Sequence, residues 1–477
     1  MNAVVVGSGP NGLAAAVTLA RAGVPVEVFE ATADYGGALR STEFGETGAV
    51  IDLGSAVHPF VAASPFFTEW AALERVPYVT PDISYAHPLP RGAATIAYRD
   101  LERTIDSLGA DGDAWRRLFS IAVDHPIQVS AVATQPVLRT ALKPWTALPM
   151  AQGIVRALLG HPRPSNGRAA ALFAGVAAHS GAPLGGASSA SVGLVLGVLA
   201  HTSGWPLPIG GAGRLADALV ADLRAHGGVL HLQRPVRHWD DLPPADVVLL
   251  ATSARDAERI LATGPGRRTR ARRTLFPGPG VFKLDLLLSE PLPWLNQEVR
   301  QSPTVHLGGP AAELRHAERE VAAGRLPAKP FVMLTQPTVV DPSRGRGRHT
   351  AWAYTRVPAG CPLDMTEQIL DRIEEFAPGA RDVILSITAT RPAELEALNP
   401  SLIGGDILAG TTRGLAFARR PTLHPAPWRT PVRGVYHCSS AVAPGPGVHG
   451  MVGHLAALDA LRTHFNLAAP ALGSTRT

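Results

Sequence analysis

Ala3-Val4-Val5-Val6-Gly7-Ser8-Gly9-Pro10-Asn11-Gly12, followed by Leu13 to Gly23 and then Val24 to Glu30, is the stretch that decides the fold. The β-branched run Ala3 to Val6 reads as a buried strand. Leu13 to Gly23 reads as a helix closed by its glycine, and Val24 to Phe29 as a second strand ending on Glu30, 18 residues beyond Gly12. Strand, G-x-G-x-x-G, helix, strand and acid, in that order, form a dinucleotide-binding fingerprint. Gly7 permits the tight turn, Gly9 lets the backbone approach a pyrophosphate, and Gly12 lets helix and strand pack closely. The helix N-terminus, with Pro10 and Asn11 in its turn, offers free N–H groups and a positive dipole end to phosphates. Glu30 is the expected acceptor for the adenosine ribose hydroxyls.

Ala33 to Ser41 continues directly, with the pair Gly36-Gly37 and then Arg40. Gly36-Gly37 brings a second length of backbone to the diphosphate, and Arg40 sets a cation beside its charge. This extension resembles that of the amine oxidase and phytoene desaturase flavoproteins, so the cofactor is expected to be FAD, bound non-covalently.

The composition fits a two-lobed enzyme of 477 residues, 46% apolar and 17% charged, with mean hydropathy +0.10. Cys361 and Cys438 are too few for a disulfide framework and suit a reducing compartment. The net charge of +5 is modest. Basic clusters at 267–273 and 344–348 read as solvated surface, with attraction to an anionic membrane as the alternative. Neither carries interleaved aromatics or a recognisable nucleic-acid module. Ser191 to His201, the most apolar stretch, is too short to span a bilayer. A cytoplasmic protein, with possible peripheral membrane contact, is the expectation.

The fold class expected is α/β, with a discontinuous Rossmann-type FAD-binding domain and a mixed α+β substrate domain. The cofactor domain takes residues 1–64, 205–279 and 399–477, and the substrate domain takes 65–204 and 280–398. Within 65–204 helical patterns alternate with Pro-rich breaks, at Leu101 to Leu108, Ala114 to Val123 and Arg168 to Ala178. The cofactor domain resumes through PIGGAGRL at 208–215 and a buried strand at Asp246 to Thr252. Strands are expected at Val281 to Leu288, Phe331 to Gln336 and Trp352 to Pro358. A last strand, Gly434 to Ala441, leads through Gly447, Val448 and His449 to a helix over Leu455 to His464. That turn supplies N–H groups and a dipole to the flavin's pyrimidine carbonyls.

GSGPNG with Glu30, YGGALRS, DLGSAVHPF, PIGGAGRL, NPSLIGGDILAG and APGPGVHGMVG together resemble the phytoene desaturase-like, carotenoid desaturase-related FAD oxidoreductases over nearly the whole length. The resemblance implies hydride transfer from substrate to flavin N5, backbone contact of Val236 with adenine, and cofactor contacts at Ala441. It also places His58 at the border between flavin and substrate. One departure is that many relatives have an acid after the C-terminal strand, where this chain reads Ser439-Ser440-Ala441.

His58 is the leading catalytic candidate, as base or positioning group, because imidazole titrates near neutrality. Asp406 follows, and its competing reading is a turn-forming Asp. His179 and Tyr354 rank behind. No H-E-x-x-H, C-x-x-C or G-x-S-x-G occurs to support metal hydrolysis, thiol redox or serine hydrolysis. Few aromatics and the apolar 168–204 region favour a lipophilic isoprenoid or polyene, desaturated with oxygen or a quinone as final acceptor. A redox-neutral double-bond isomerase, an amine oxidase and a non-catalytic FAD-stabilised scaffold are the alternatives. Oligomeric state is not readable from the sequence.

Overall fold

The computed structural model describes residues 1–141, 144–159, 167–264, 277–416 and 419–473. A parallel five-stranded sheet takes strands from widely separated parts of the chain, in the order Val435–His437, Val247–Leu250, Ala3–Val6, Val26–Phe29, Val229–His231. Helices Pro10–Arg21, Gly213–Ala225 and Met451–Ala460 cover it. The first helix begins at Pro10, three residues before the expected Leu13, because proline's fixed φ suits the first helical position. Asn11 and Gly12 therefore lie inside the first turn. The last helix likewise begins at Met451 rather than Leu455, directly after the left-handed Gly450.

A seven-stranded, mostly antiparallel sheet forms the second layer system. The strands Gly280–Leu288, Val332–Thr335 and His349–Val357 lie where the sequence places them. Ile83–Pro88 and Ala94–Tyr98 are strands within a region that reads as helices and breaks. Every residue of both is buried, so neither has the apolar–polar alternation that marks a half-exposed strand.

One face of this sheet is apolar. Phe282, Leu284, Val305, Leu334 and Ala353 pack there against Ile369 and Ile373 of helix Thr366–Glu374. The register puts Tyr85, His87, His306, Met333, Tyr354 and Lys283 on the opposite face. A helical layer faces that second side: Leu101–Leu108, Gly112–Val123, Arg168–Ala177 and Ala187–His201. Among the described residues no helix is long and apolar enough to cross a membrane.

The two basic clusters have different outcomes. Residues 267–273 lie outside those described. In the other cluster Arg344 is not solvated surface at all. It is fully buried and donates to Asp52 at 2.5 Å and Asp341 at 3.1 Å.

Candidate active site

The fingerprint glycines have distinct surroundings. Gly7 has φ +97° and a side chain there would meet the Ala251 carbonyl at 2.9 Å, so the turn requires glycine. A Cβ on Gly12 would lie 2.0 Å from the Gly7 carbonyl oxygen, which accounts for the close helix–turn packing. Gly9 differs from both. Nothing lies within 4 Å of where its Cβ would be, so an open cradle faces the helix N-terminus. Gly37 closes one side, with its own missing Cβ position 2.9 Å from the Gly9 Cα. The Gly36 amide donates to the Ser8 carbonyl at 3.1 Å. The buried Asn11 carboxamide oxygen has no partner. An open backbone cradle with a helix dipole behind it fits a diphosphate.

Arg40 is largely buried and donates to the carbonyls of Gly37 and Leu398, leaving its charge unmatched by any described carboxylate. Glu30 accepts from the Ser8 amide at 2.9 Å and hydroxyl at 2.6 Å, and from Thr32 at 3.0 and 2.9 Å. Its carboxylate thus holds the glycine turn in place besides standing at the strand end. The loop before the buried Val236 crosses it, with the Arg234 amide donating to the Glu30 carbonyl at 2.8 Å.

The C-terminal turn closes on the same helix. A Cβ on Gly453 would sit 1.7 Å from the Asn11 carbonyl oxygen, so the last helix rests directly on the first. Gly445 and Gly447 have φ of +114° and +144°. His449 caps this turn from within: its Nδ1 accepts from the Met451 amide and its Nε2 donates to the Gly445 carbonyl, each at 3.0 Å. Both ring nitrogens are thus engaged by the turn's own backbone, and burial lowers the pKa of the ring to about 4. The Ala441 amide donates to the Ser439 hydroxyl at 3.2 Å, which also bonds His437. The Ser439 hydroxyl thus organises this turn.

Asp52 joins the cofactor segments to the substrate sheet. It accepts from the Ser41 hydroxyl and the Ala212 amide at 2.7 Å and from Arg344. Its backbone carbonyl accepts from Lys283 at 2.9 Å. Lys283 is buried, paired with Asp285 at 2.7 Å, and sits over the Trp352 ring. Further along the same face Arg356 pairs with Glu318 at 2.9 Å, both nearly inaccessible. Burial raises the pKa of Asp285 and of Glu318, while each cation pulls it back. His87, His179 and His306 complete the wall, all held neutral chiefly by burial.

A family model described as flavin containing amine oxidoreductase matches residues 11–320. The chain belongs to that family. This flavoenzyme is 27% identical over 305 residues to pyridine nucleotide-disulfide oxidoreductase domain-containing protein 2 of Rattus norvegicus, covering 55% of this chain and 52% of that protein. The chain thus spans about half the length of the curated relatives it matches first. A 51-residue stretch, 11% of this chain and 12% of the other, is 53% identical to hydroxysqualene dehydroxylase of Rhodopseudomonas palustris. In fold it is similar to putrescine oxidase bound to putrescine (TM-score 0.57, 19% identity, 97% and 99% of the two chains). It is also similar to cyclohexylamine oxidase from Brevibacterium oxydans (TM-score 0.52, 16% identity, 96% and 97%). The chain combines a Rossmann-type FAD-binding domain with a separate sheet domain.

With FAD bound, the Gly9 cradle, Gly36-Gly37 and Arg40 would be the residues to hold its diphosphate, and Glu30 the carboxylate to hold its ribose. His58 is wholly buried. Its Nδ1 shares a hydrogen bond with the Tyr78 hydroxyl at 3.0 Å, and its Nε2 has no partner. Burial lowers its pKa to about 4, with Asp52 pulling the other way. Asp406, the second catalytic candidate, is buried with its carboxylate bonded to backbone. It accepts from the amides of Gly278, Leu408 and Gly410 at 2.7, 2.8 and 2.7 Å, which fixes the 406–410 turn. Buried Arg420 binds the carbonyls of Leu408 and Gly410 on that turn. The sequence points to Arg344 only as part of a surface cluster and does not single out Lys283, His87 or His306. Lys283 and Asp285, two charges one residue apart inside an otherwise apolar strand, were the available signal.

Proposed function

We propose that this flavoenzyme dehydrogenates an uncharged, lipophilic small molecule of isoprenoid or polyene type. The observation that carries the reading is the charge balance of the substrate wall. Each charge there is matched in place: Lys283 by Asp285, Arg356 by Glu318. The histidines between them are neutral. An ammonium substrate needs a free carboxylate or an aromatic cage; both described wall carboxylates are already paired, the Trp352 ring already lies under Lys283, and Tyr85 packs against Trp205 and His306. The Ala-rich helices Arg168–Ala177 and Ala187–His201 make the remaining wall apolar. Bound FAD supplies the hydride acceptor. The protein's own part is orientation and water exclusion, with neutral His58 the group available to hold or take a proton. Oxygen or a quinone is the proposed final acceptor.

A second observation bears on delivery. Trp145 and Ile127 are 83% and 81% exposed, with Leu148, Val155 and Leu159 exposed nearby in sequence on and just beyond helix Pro144–Leu158. Such an apolar surface suits shallow insertion into a bilayer, where a lipophilic substrate dissolves. This patch adds to the exposed Arg346 and Arg348 as a basis for the proposed peripheral membrane contact.

The test is anaerobic mixing of the holoenzyme with isoprenoid alkenes and with primary amines. Flavin bleaching by an alkene and not by amines is expected. Bleaching by amines alone overturns the reading. Turnover of an alkene only after the flavin has been reduced would point instead to the isomerase.

A further inference from the structure

Among the described residues, Arg344 and Arg420 are the two arginines with no exposed surface, and they differ in what faces them. Arg344 meets the carboxylates of Asp52 and Asp341 directly. Arg420 meets backbone. Its guanidinium donates to the carbonyls of Leu408 and Gly410 at 2.8 Å and of Ser440 at 3.3 Å. Its Nε is buried without a partner. Burying a cation with no carboxylate bonded to it is costly.

The surroundings show where this charge acts. The Arg420 carbonyl accepts from the Ala443 amide at 2.8 Å. The missing Cβ of Gly445 would lie 3.7 Å from its Cδ and 4.0 Å from its Nε. Arg420 therefore lies against the glycine turn that leads into the last helix. That helix rests on the first turn of the cofactor helix, through Gly453 and the Asn11 carbonyl.

Asp406 is the counter-charge, and each group feels the other's field. The two clasp the same 406–410 turn from complementary groups. Arg420 takes the carbonyls of Leu408 and Gly410, and Asp406 takes their amides. Beyond that turn they part. Asp406 is anchored on Gly278, whose missing Cβ would lie 3.0 Å from both carboxylate oxygens. Arg420 is anchored on Ser440 and Gly445. The result is a fixed buried dipole whose positive end meets the C-terminal glycine turn.

We propose that Arg420 sets the reduction potential of the bound flavin through this turn, favouring the reduced cofactor, with Asp406 moderating it. A flavin gains negative charge on reduction, and a fixed cation in a low-dielectric interior favours that state. A raised potential makes the flavin a better hydride acceptor. The inference rests on FAD binding at the Gly9 cradle and is independent of which substrate is oxidised. Arg420 acts on the cofactor through the turn and is a positioning residue.

The test is reductive titration of the FAD-loaded protein against a dye of known potential, with a melting curve on each sample. Arg420→Met removes the cation at similar length and should lower the potential. Asp406→Asn removes the counter-charge and should raise it. Each shift should match about a tenfold change in relative affinity for reduced and oxidised FAD, about 30 mV for a two-electron couple. Arg420→Lys should keep most of the wild-type potential. A merely structural clamp behaves differently: both variants melt earlier, and the potential stays put or moves the same way in each. Either result overturns the proposal. If Arg420→Met loses its flavin, Asp406→Asn decides, an upward shift sustaining the proposal and no shift overturning it. Loss of flavin from all three variants marks the clamp as structural and also overturns it. Wild-type protein that takes up no FAD defeats the cofactor reading and this inference together, whereas unchanged potentials in yellow variants defeat the inference alone.

Discussion

Arg344 donates to Asp52 at 2.5 Å with neither side chain open to solvent. The pair ties the strand leading from the nucleotide site to the connection before substrate-sheet strand His349–Val357. Breaking one side of a buried pair leaves the other charge stranded, which costs about 3–5 kcal/mol. Arg344→Met should therefore lower the unfolding free energy by roughly that amount and reduce flavin content with it, as measured by thermal melting and flavin absorbance. A melting temperature near the wild type's would show that the pair does not join the two parts.

Gly9 and Gly12 make a matched comparison. Gly9 has ordinary extended backbone and open space beside it, so Gly9→Val should fold normally and lack FAD. Gly12→Val should damage the fold itself, since its side chain would strike the Gly7 carbonyl. Circular dichroism and flavin content on both variants separate the two effects. A yellow Gly9→Val protein would place the diphosphate elsewhere.

Glu30→Ala should weaken FAD binding by about 1.5–3 kcal/mol, the range for a lost hydrogen bond to a charged group. It should also loosen the turn that Glu30 holds through Ser8 and Thr32. Faster amide exchange at Ser8 in the FAD-free variant would report this second effect. An unchanged FAD dissociation constant would remove Glu30 from the ribose.

Acid should destabilise the protein through its buried histidines. His87, His201 and His449 have folded pKa values of about 4, lowered chiefly by burial, against about 6.5 when unfolded. The unfolded chain takes up these protons first. The stability involved is full above pH 6.5 and is lost as the pH falls towards 4. Urea denaturation across pH 7 to 4 should show a steep decline. A flat profile would mean that these rings are not held neutral.

The cofactor half was legible because its chemistry is local. Gly7, Gly9, Gly12 and Glu30 lie within 24 residues, each in a role that backbone geometry dictates. The substrate half was not, because its logic is a face of a sheet. Tyr85, His87, His306, Tyr354 and Lys283 share that face only through strand pairings across some 270 residues of chain. Asp406 and His449 show a related limit. Each stands in a glycine-rich stretch of the kind that holds cofactors, yet each has its polar atoms bonded to backbone, Asp406 to Gly278, Leu408 and Gly410 and His449 to Gly445 and Met451. Spacing alone does not distinguish a side chain facing a ligand from one facing its own backbone.

The most direct test of the account is a single anaerobic turnover in which flavin bleaching and substrate mass are read on the same sample. Oxidised holoenzyme is mixed with an uncharged isoprenoid alkene, the flavin is followed by absorbance, and the organic phase is taken for mass spectrometry. The account predicts one product lighter by two hydrogens for each flavin bleached. A product of unchanged mass, or a flavin that stays yellow with alkenes and bleaches with a primary amine, would contradict it.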